Sequence, residues 1–133
     1  MTRPLLLLLF LLATAGPAWA ALPPLSDAER QAESEVIVRG EIMSIEAREK
    51  LLKAGSSNLE MILTIKIKEC LKGGLEVGSV VMIQCWVAQE RPEGWAGDGG
   101  QRPKPLAGDE GTFYAKDRGG KLHLLHPNGW DAQ

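Results

Sequence analysis

Between Leu59 and Cys70 the chain alternates with a period of two: Met61, Leu63, Ile65 and Ile67 share one face, and Thr64, Lys66 and Lys68 share the other with Ile62 and Cys70. Successive side chains of an extended chain point to opposite faces, so this pattern specifies a strand with one side buried and one side wet.

Further strands follow from composition and turn residues. Glu35 to Glu46 carries Val36, Ile37, Val38, Ile42 and Ile45 around Gly40, a long first strand with a bend at the glycine. Ala47 to Lys53 is expected to form a helical turn, and Ala54 to Asn58, small and polar, a connection. After the alternating second strand come the turn signals Lys72-Gly73-Gly74 and Val77-Gly78-Ser79, then a third strand over Val80 to Val87. Asp109 to Asp117 and Lys121 to Leu125 flank Arg118-Gly119-Gly120, which suits a tight hairpin with Phe113 and Tyr114 in its first arm. The expected fold is all-β: a small five-stranded barrel of the OB type, over residues 34–130, with a long third-to-fourth connection. That connection, Ala88 to Gly108, holds three prolines, Trp95 and four glycines ahead of Gly108. Connections of this length are uncommon in compact domains and commonly carry function.

Ahead of the strands, Arg3, the unbroken apolar run Leu5 to Leu12 and the small-residue site Ala18-Trp19-Ala20 have the three parts of a secretory leader, with cleavage expected after Ala20. The apolar run is about half what a spanning helix needs, so no stable membrane insertion is expected after cleavage. Residues 21–33 read as a tether. Within it Ser26 and Glu29 have capping-box spacing for a short helix. The whole chain carries 15 basic and 17 acidic side chains, and loss of Arg3 with the leader makes it slightly more acidic. No basic stripe is present to neutralise phosphates, which argues against nucleic acid. The expected location is periplasmic or extracellular.

Two stretches resemble a known family. Ser34-Glu35-Val36-Ile37-Val38-Arg39-Gly40-Glu41-Ile42 looks like the ADVVVVGKV strand, and Ile65-Lys66-Ile67-Lys68-Glu69-Cys70-Leu71-Lys72-Gly73 like the VxxVLKG strand end, of exported netrin-like domains, the group that includes tissue inhibitors of metalloproteinases. Arg91-Pro92-Glu93-Gly94-Trp95-Ala96-Gly97 with Pro127-Asn128-Gly129-Trp130 resembles small exported bacterial proteins, planctomycete ones among them, that carry no assigned activity. The resemblance implies the barrel. It does not carry over protease inhibition, because those inhibitors reach the catalytic zinc with an N-terminal cysteine and this chain has none before Cys70.

Cys70 and Cys85 leave a disulfide and two free thiols both open. A turn at Lys72 to Gly74 would hold them far apart, whereas a turn at Val77-Gly78 would set them opposite each other. His123 and His126 fall on opposite faces of a strand, so no metal site is expected. Glycines 97–100 lack both the ligand alternation of a calcium loop and the lysine of a phosphate loop, and no cofactor is expected. The functional expectation is an exported, non-catalytic binding module for a glycan or another exported protein, with Trp95, Arg91, Arg102, Lys104 and Trp130 as the ligand-facing residues of the long connection and the chain end. The alternative is a thiol-dependent redox protein or enzyme built on Cys70 and Cys85.

Overall fold

The computed structural model describes residues 22–133; the leader read at residues 1–20 lies outside them. One helix and six strands follow in order: α1 (Asp27–Glu33), β1 (Val36–Leu51), β2 (Ser57–Lys72), β3 (Val80–Glu90), β4 (Glu110–Arg118), β5 (Lys121–Leu124) and β6 (Trp130–Ala132). α1 begins at a reciprocal capping box, in which Ser26 Oγ accepts from the Glu29 N–H and the Glu29 carboxylate accepts from the Ser26 N–H. Seven residues are too few for a helix to persist alone. Arg30 fastens it: the guanidinium lies 4.5 Å over the Tyr114 ring and donates to Asp131 at 2.8 Å and to Asp27 at 2.5 Å.

The strands run in the order β1-β2-β3-β5-β4, and β1 pairs again with β4 to close the ring. The result is a closed five-stranded mixed barrel with one extra strand, of the small OB-fold-like class. The extra strand, β6, takes the part of β4's edge that β5 leaves free, pairing Phe113 with Trp130 and Gly111 with Ala132. All pairings are antiparallel except β3 with β5, which is parallel and rests on the single pair Gln84 and His123. Met61, Leu63, Ile65 and Ile67 are all buried, as their alternation requires, and meet Val38, Ile42, Ile83 and Phe113 inside the barrel.

One local expectation is corrected. Ala47 to Lys53 makes no helical turn; β1 continues to Leu51, pairing Ala47 with Met61 and Lys50 with Asn58, because the cross-strand ladder overrides a weak local preference. After a turn at His126 to Asn128, Trp130 opens β6. The β2–β3 register is the one centred on Gly73, with Met61 opposite Cys85 and Lys66 opposite Val80, as a turn at Lys72 to Gly74 requires. The ladder ends at Lys66 and Val80, closed by the Ile67 N–H to the Ser79 carbonyl, and β2 runs on to Lys72 against β1 alone.

Barrel closure depends on β1 being shared by two neighbours, and Gly40 stands where it is shared. It pairs with Ile67 of β2 on one side and with Gly111 of β4 on the other. A Cβ on Gly40 would overlap the Lys66 carbonyl oxygen, and one on Gly111 would overlap the Asp131 carbonyl oxygen of β6. Register shifts at Arg39/Gly40 and Ile42/Ser44 bend the strand here. Gly40→Ala is therefore expected to cost at least the roughly 1–3 kcal/mol typical of overpacking, read as a lower urea midpoint with unchanged slope. Gly99→Ala, where a Cβ meets nothing within 4 Å and φ is outside the left-handed region, should cost less. Equal losses would show that the close approach at Gly40 is not what restricts it.

Candidate functional site

One ladder of side chains crosses all five barrel strands. Glu46 of β1 pairs with Ile62 of β2, Ile62 with Gln84 of β3, Gln84 with His123 of β5, and His123 with Lys116 of β4. Residues paired in this way project from the same face. The buried Met61, Leu63, Ile83 and Cys85 alternate with them, so the ladder lies on the outer face. The next row holds Arg48, Glu60 and Trp86. Arg118 and Lys121 pair at the base of the β4–β5 turn, whose Gly119 and Gly120 both have positive φ, the conformation a two-residue hairpin turn demands.

Because β3 and β5 meet at one pair only, a cleft opens along this seam. Its larger part, about 420 Å³, lies among Arg48, Glu60, Ile62, Trp86, Arg118 and Lys121. A second part, about 290 Å³, reaches toward α1 and is bordered by Glu33, Lys116, Leu125 and His126. The two share Gln84, Cys85, Trp86, Arg118 and His123. In OB barrels the β2–β3 face and the loops after β1 and β4 are the surfaces that take oligomeric ligands, and this cleft takes in the outer face of β2 and β3 and the base of the β4–β5 turn, without the loop after β1.

The electrostatics of the cleft are uneven. Arg48, Lys116, Arg118 and Lys121 have no carboxylate within 4.0 Å among the described residues, while Glu60 faces Lys50 at 3.8 Å. His123 titrates below its ordinary value, first because it is partly buried and then because Arg118 and Lys121 repel its charged form, with Asp117 opposing. At the far wall the Trp86 and His126 rings stack with centroids 5.4 Å apart, and His126 Nε2 meets Asp98 Oδ2 at 2.5 Å.

The residues expected to face a ligand from the long connection are not gathered on one surface. Trp130 cannot serve there: it is 2% exposed, stacked on Phe113 in the core, with its Nε1 donating to the Pro103 carbonyl at 2.8 Å. Arg91 donates to the Ser57 carbonyl and to Asn58 Oδ1, each at 2.5 Å, and its guanidinium lies 4.8 Å from the Trp95 ring centroid. Arg102 donates to the Leu22 carbonyl at 2.8 Å. Trp95, 42% exposed, and Lys104 project into solvent, and neither borders the cleft.

The connection itself is held to the barrel. The Ala88 N–H donates to the Gly99 carbonyl, the Gln101 N–H donates to the Trp86 carbonyl, and the Gly108 N–H donates to the Ile42 carbonyl. The buried Gln101 side chain accepts from the Gly129 N–H and donates to the Leu125 carbonyl. Only the segment around Trp95 stands clear of this framework.

Cys70 and Cys85 are free thiols. Cys85 is opposite Met61, and Cys70 lies nine positions beyond Met61 on β2, opposite Val38. That is roughly 30 Å of extended chain, against a limit of about 7 Å between bridged Cα atoms. Burial pushes the Cys85 thiol up to about 12, so it is protonated at neutral pH and a poor nucleophile. Among the described residues no three of His, Cys, Asp or Glu are placed to hold a metal ion, and no helix is long and apolar enough to cross a membrane.

Fold and site together define a small OB-fold-like barrel with a partly cationic cleft on its outer face. No family model, no curated protein and no solved structure matches the chain.

The cleft residues Arg48, Arg118, Lys121 and His123 escape sequence reasoning because the β3–β5 pairing that assembles them is non-local. The available signal was the pair of basic residues flanking Gly119-Gly120. For the thiols, labelling of the native protein with an aromatic disulfide at pH 8 is expected to leave Cys85 unmodified until the protein unfolds. The thermal midpoint should be indifferent to reductant. A reductant-dependent fall matching the roughly 3 kcal/mol of a fifteen-residue closed loop would instead require a bridge.

Proposed function

We propose that the chain is an exported, non-catalytic binding module of the netrin-like type, and that it holds an acidic glycan in the cleft along the β3–β5 seam. The observation that carries this reading is the coincidence of a cleft of about 420 Å³ with unpaired Arg48, Arg118 and Lys121 on the OB-type binding face. Trp86, half-buried at the cleft wall, adds an apolar ring of the kind that packs on a sugar. Export rests on the leader read at residues 1–20 and on the netrin-like strand segments. The thiol-based alternative finds little support in Cys85, which is 9% exposed and protonated at the cleft floor. A surface centred on the long connection is less favoured, because Arg91, Arg102 and Trp130 are engaged within the protein.

Thermal unfolding across neutral and acidic oligosaccharides tests this. A ligand at a hundred times its dissociation constant adds about 2.7 kcal/mol, which moves the midpoint of a domain this size by several degrees. The expected result is a rise with sulfated or uronate oligomers and none with neutral ones. The Arg118→Ala, Lys121→Ala double variant should bind about tenfold more weakly, since each exposed charge contact contributes roughly 0.2–1 kcal/mol. Trp95→Ala should bind normally. A rise abolished by Trp95→Ala and preserved in the double variant would move the site to the long connection.

A further inference from the structure

We propose that the cleft takes up a proton when it binds its acidic ligand, with His123 as the group protonated, so that acidification tightens binding. This rests on the acidic-glycan reading above. The basis is geometric: His123 is the β5 member of the ladder that crosses the cleft, it borders both parts of the cavity, and it stands between the Lys116 side of β4 and the Gln84 side of β3.

Every element around His123 except β3, which lines the cleft with Gln84, Cys85 and Trp86, contributes a charge. From β4 come Lys116, Asp117 and Arg118, and from β5 itself comes Lys121. Asp117 is partly engaged, accepting the Gly120 N–H at 2.9 Å. Across the cavity β1 presents Glu46 and Arg48, and β2 presents Glu60. Toward the other end stand Glu33 of α1 and His126, the latter already joined to Asp98.

In the empty cleft Arg118 and Lys121 oppose a positive charge on the imidazole. An anion seated on those two cations cancels that repulsion and adds an attraction of its own, so the bound state holds the His123 proton more tightly than the free state. The sign follows from linkage: a group whose pKa rises on binding favours binding at low pH, and the gain is confined to the window between its free and bound values. The free value lies below the ordinary 6.5 of an imidazole. One proton limits the gradient to tenfold per pH unit. The folded protein without ligand behaves in the opposite way. Its depressed histidine makes it lose stability as pH falls through 6.5 toward the free value, because the unfolded chain binds that proton first.

The test is calorimetric titration of the purified protein with a sulfated hexasaccharide from pH 7.5 to 5.0 at fixed ionic strength, with a neutral hexasaccharide and an acidic peptide, hexaglutamate, as further probes. The sulfated probe is expected to bind more tightly as pH falls, by up to tenfold per unit. Proton uptake should appear as a binding heat that depends on the buffer's ionisation enthalpy. His123→Gln should flatten the gradient whatever its affinity at pH 7.5, and histidine proton shifts should show His123 titrating higher in the complex. An affinity that rises equally in His123→Gln overturns the inference and assigns the proton to another titratable group of the cleft. An affinity independent of pH overturns it while leaving the glycan reading standing. Binding of the peptide or the neutral sugar in place of the sulfated one, or of no probe, overturns both. Should His123→Gln fail to fold, His123→Asn with the wild-type proton shifts supplies the same comparison.

Discussion

The barrel exists because β1 can approach two strands at once at Gly40. With Ile67 on one side and Gly111 on the other, the backbones come too close there for any side chain on Gly40. A larger residue would push β1 away from β2 or from β4, and the ring would open on its strongly paired side. Gly111 repeats the device one strand further round, where β4 passes under β6. These two positions set the curvature that brings β5 back to β3, and the return is only just completed, at Gln84 and His123. The tight side of the ring and the loose seam are thus two consequences of the same closure, and the cleft is what the loose seam leaves.

How much of this was legible in the sequence depended on how local each cause is. The alternation from Met61 to Ile67 named the buried face of β2 correctly, since period two is a property of the chain itself. The Gly119-Gly120 turn and the Ser26 capping box likewise depend on residues a few positions apart. The register between β2 and β3 is different. Gly73, Gly74 and Gly78 all offered a turn, and the choice was made by β1, which holds Ile67 to Lys72 in its own ladder and delays the entry of β3 until Val80. The extension of β1 through Ala47 to Leu51 was hidden for the same reason, because no residue there favours a strand unless β2 is already beside it.

The long connection shows how aromatic and basic residues in a loop can mislead. Trp95, Arg91, Arg102, Lys104 and Trp130 look alike as candidates on paper, yet their surroundings divide them. Trp130 is a core residue whose indole N–H is satisfied by Pro103. Arg91 satisfies the backbone carbonyl of Ser57 at the start of β2, and Arg102 that of Leu22 ahead of the helix. The connection is held to β3 and to the C-terminal turn through Gln101, so its main contribution is to fix the Trp86 wall of the cleft.

The distribution of charge follows from this division. Several cations that serve the fold are paired with carboxylates, Arg30 with Asp131 and Asp27, Arg39 with Glu69, Lys68 with Glu41 and Glu110, and others, Lys72, Arg91 and Arg102, with backbone carbonyls. Arg48, Arg118 and Lys121 border the cleft without a partner, and two of them flank a turn that any polar residues could have flanked. Exposed unpaired cations stabilise a fold little, and burial of His123 together with the repulsion of its proton by Arg118 and Lys121 makes the free protein slightly less stable in acid. That small disadvantage falls on the residues that a negatively charged occupant would relieve. A purely structural role for the seam explains the apolar floor at Cys85 and Leu124, but it leaves the charges at its rim without a purpose.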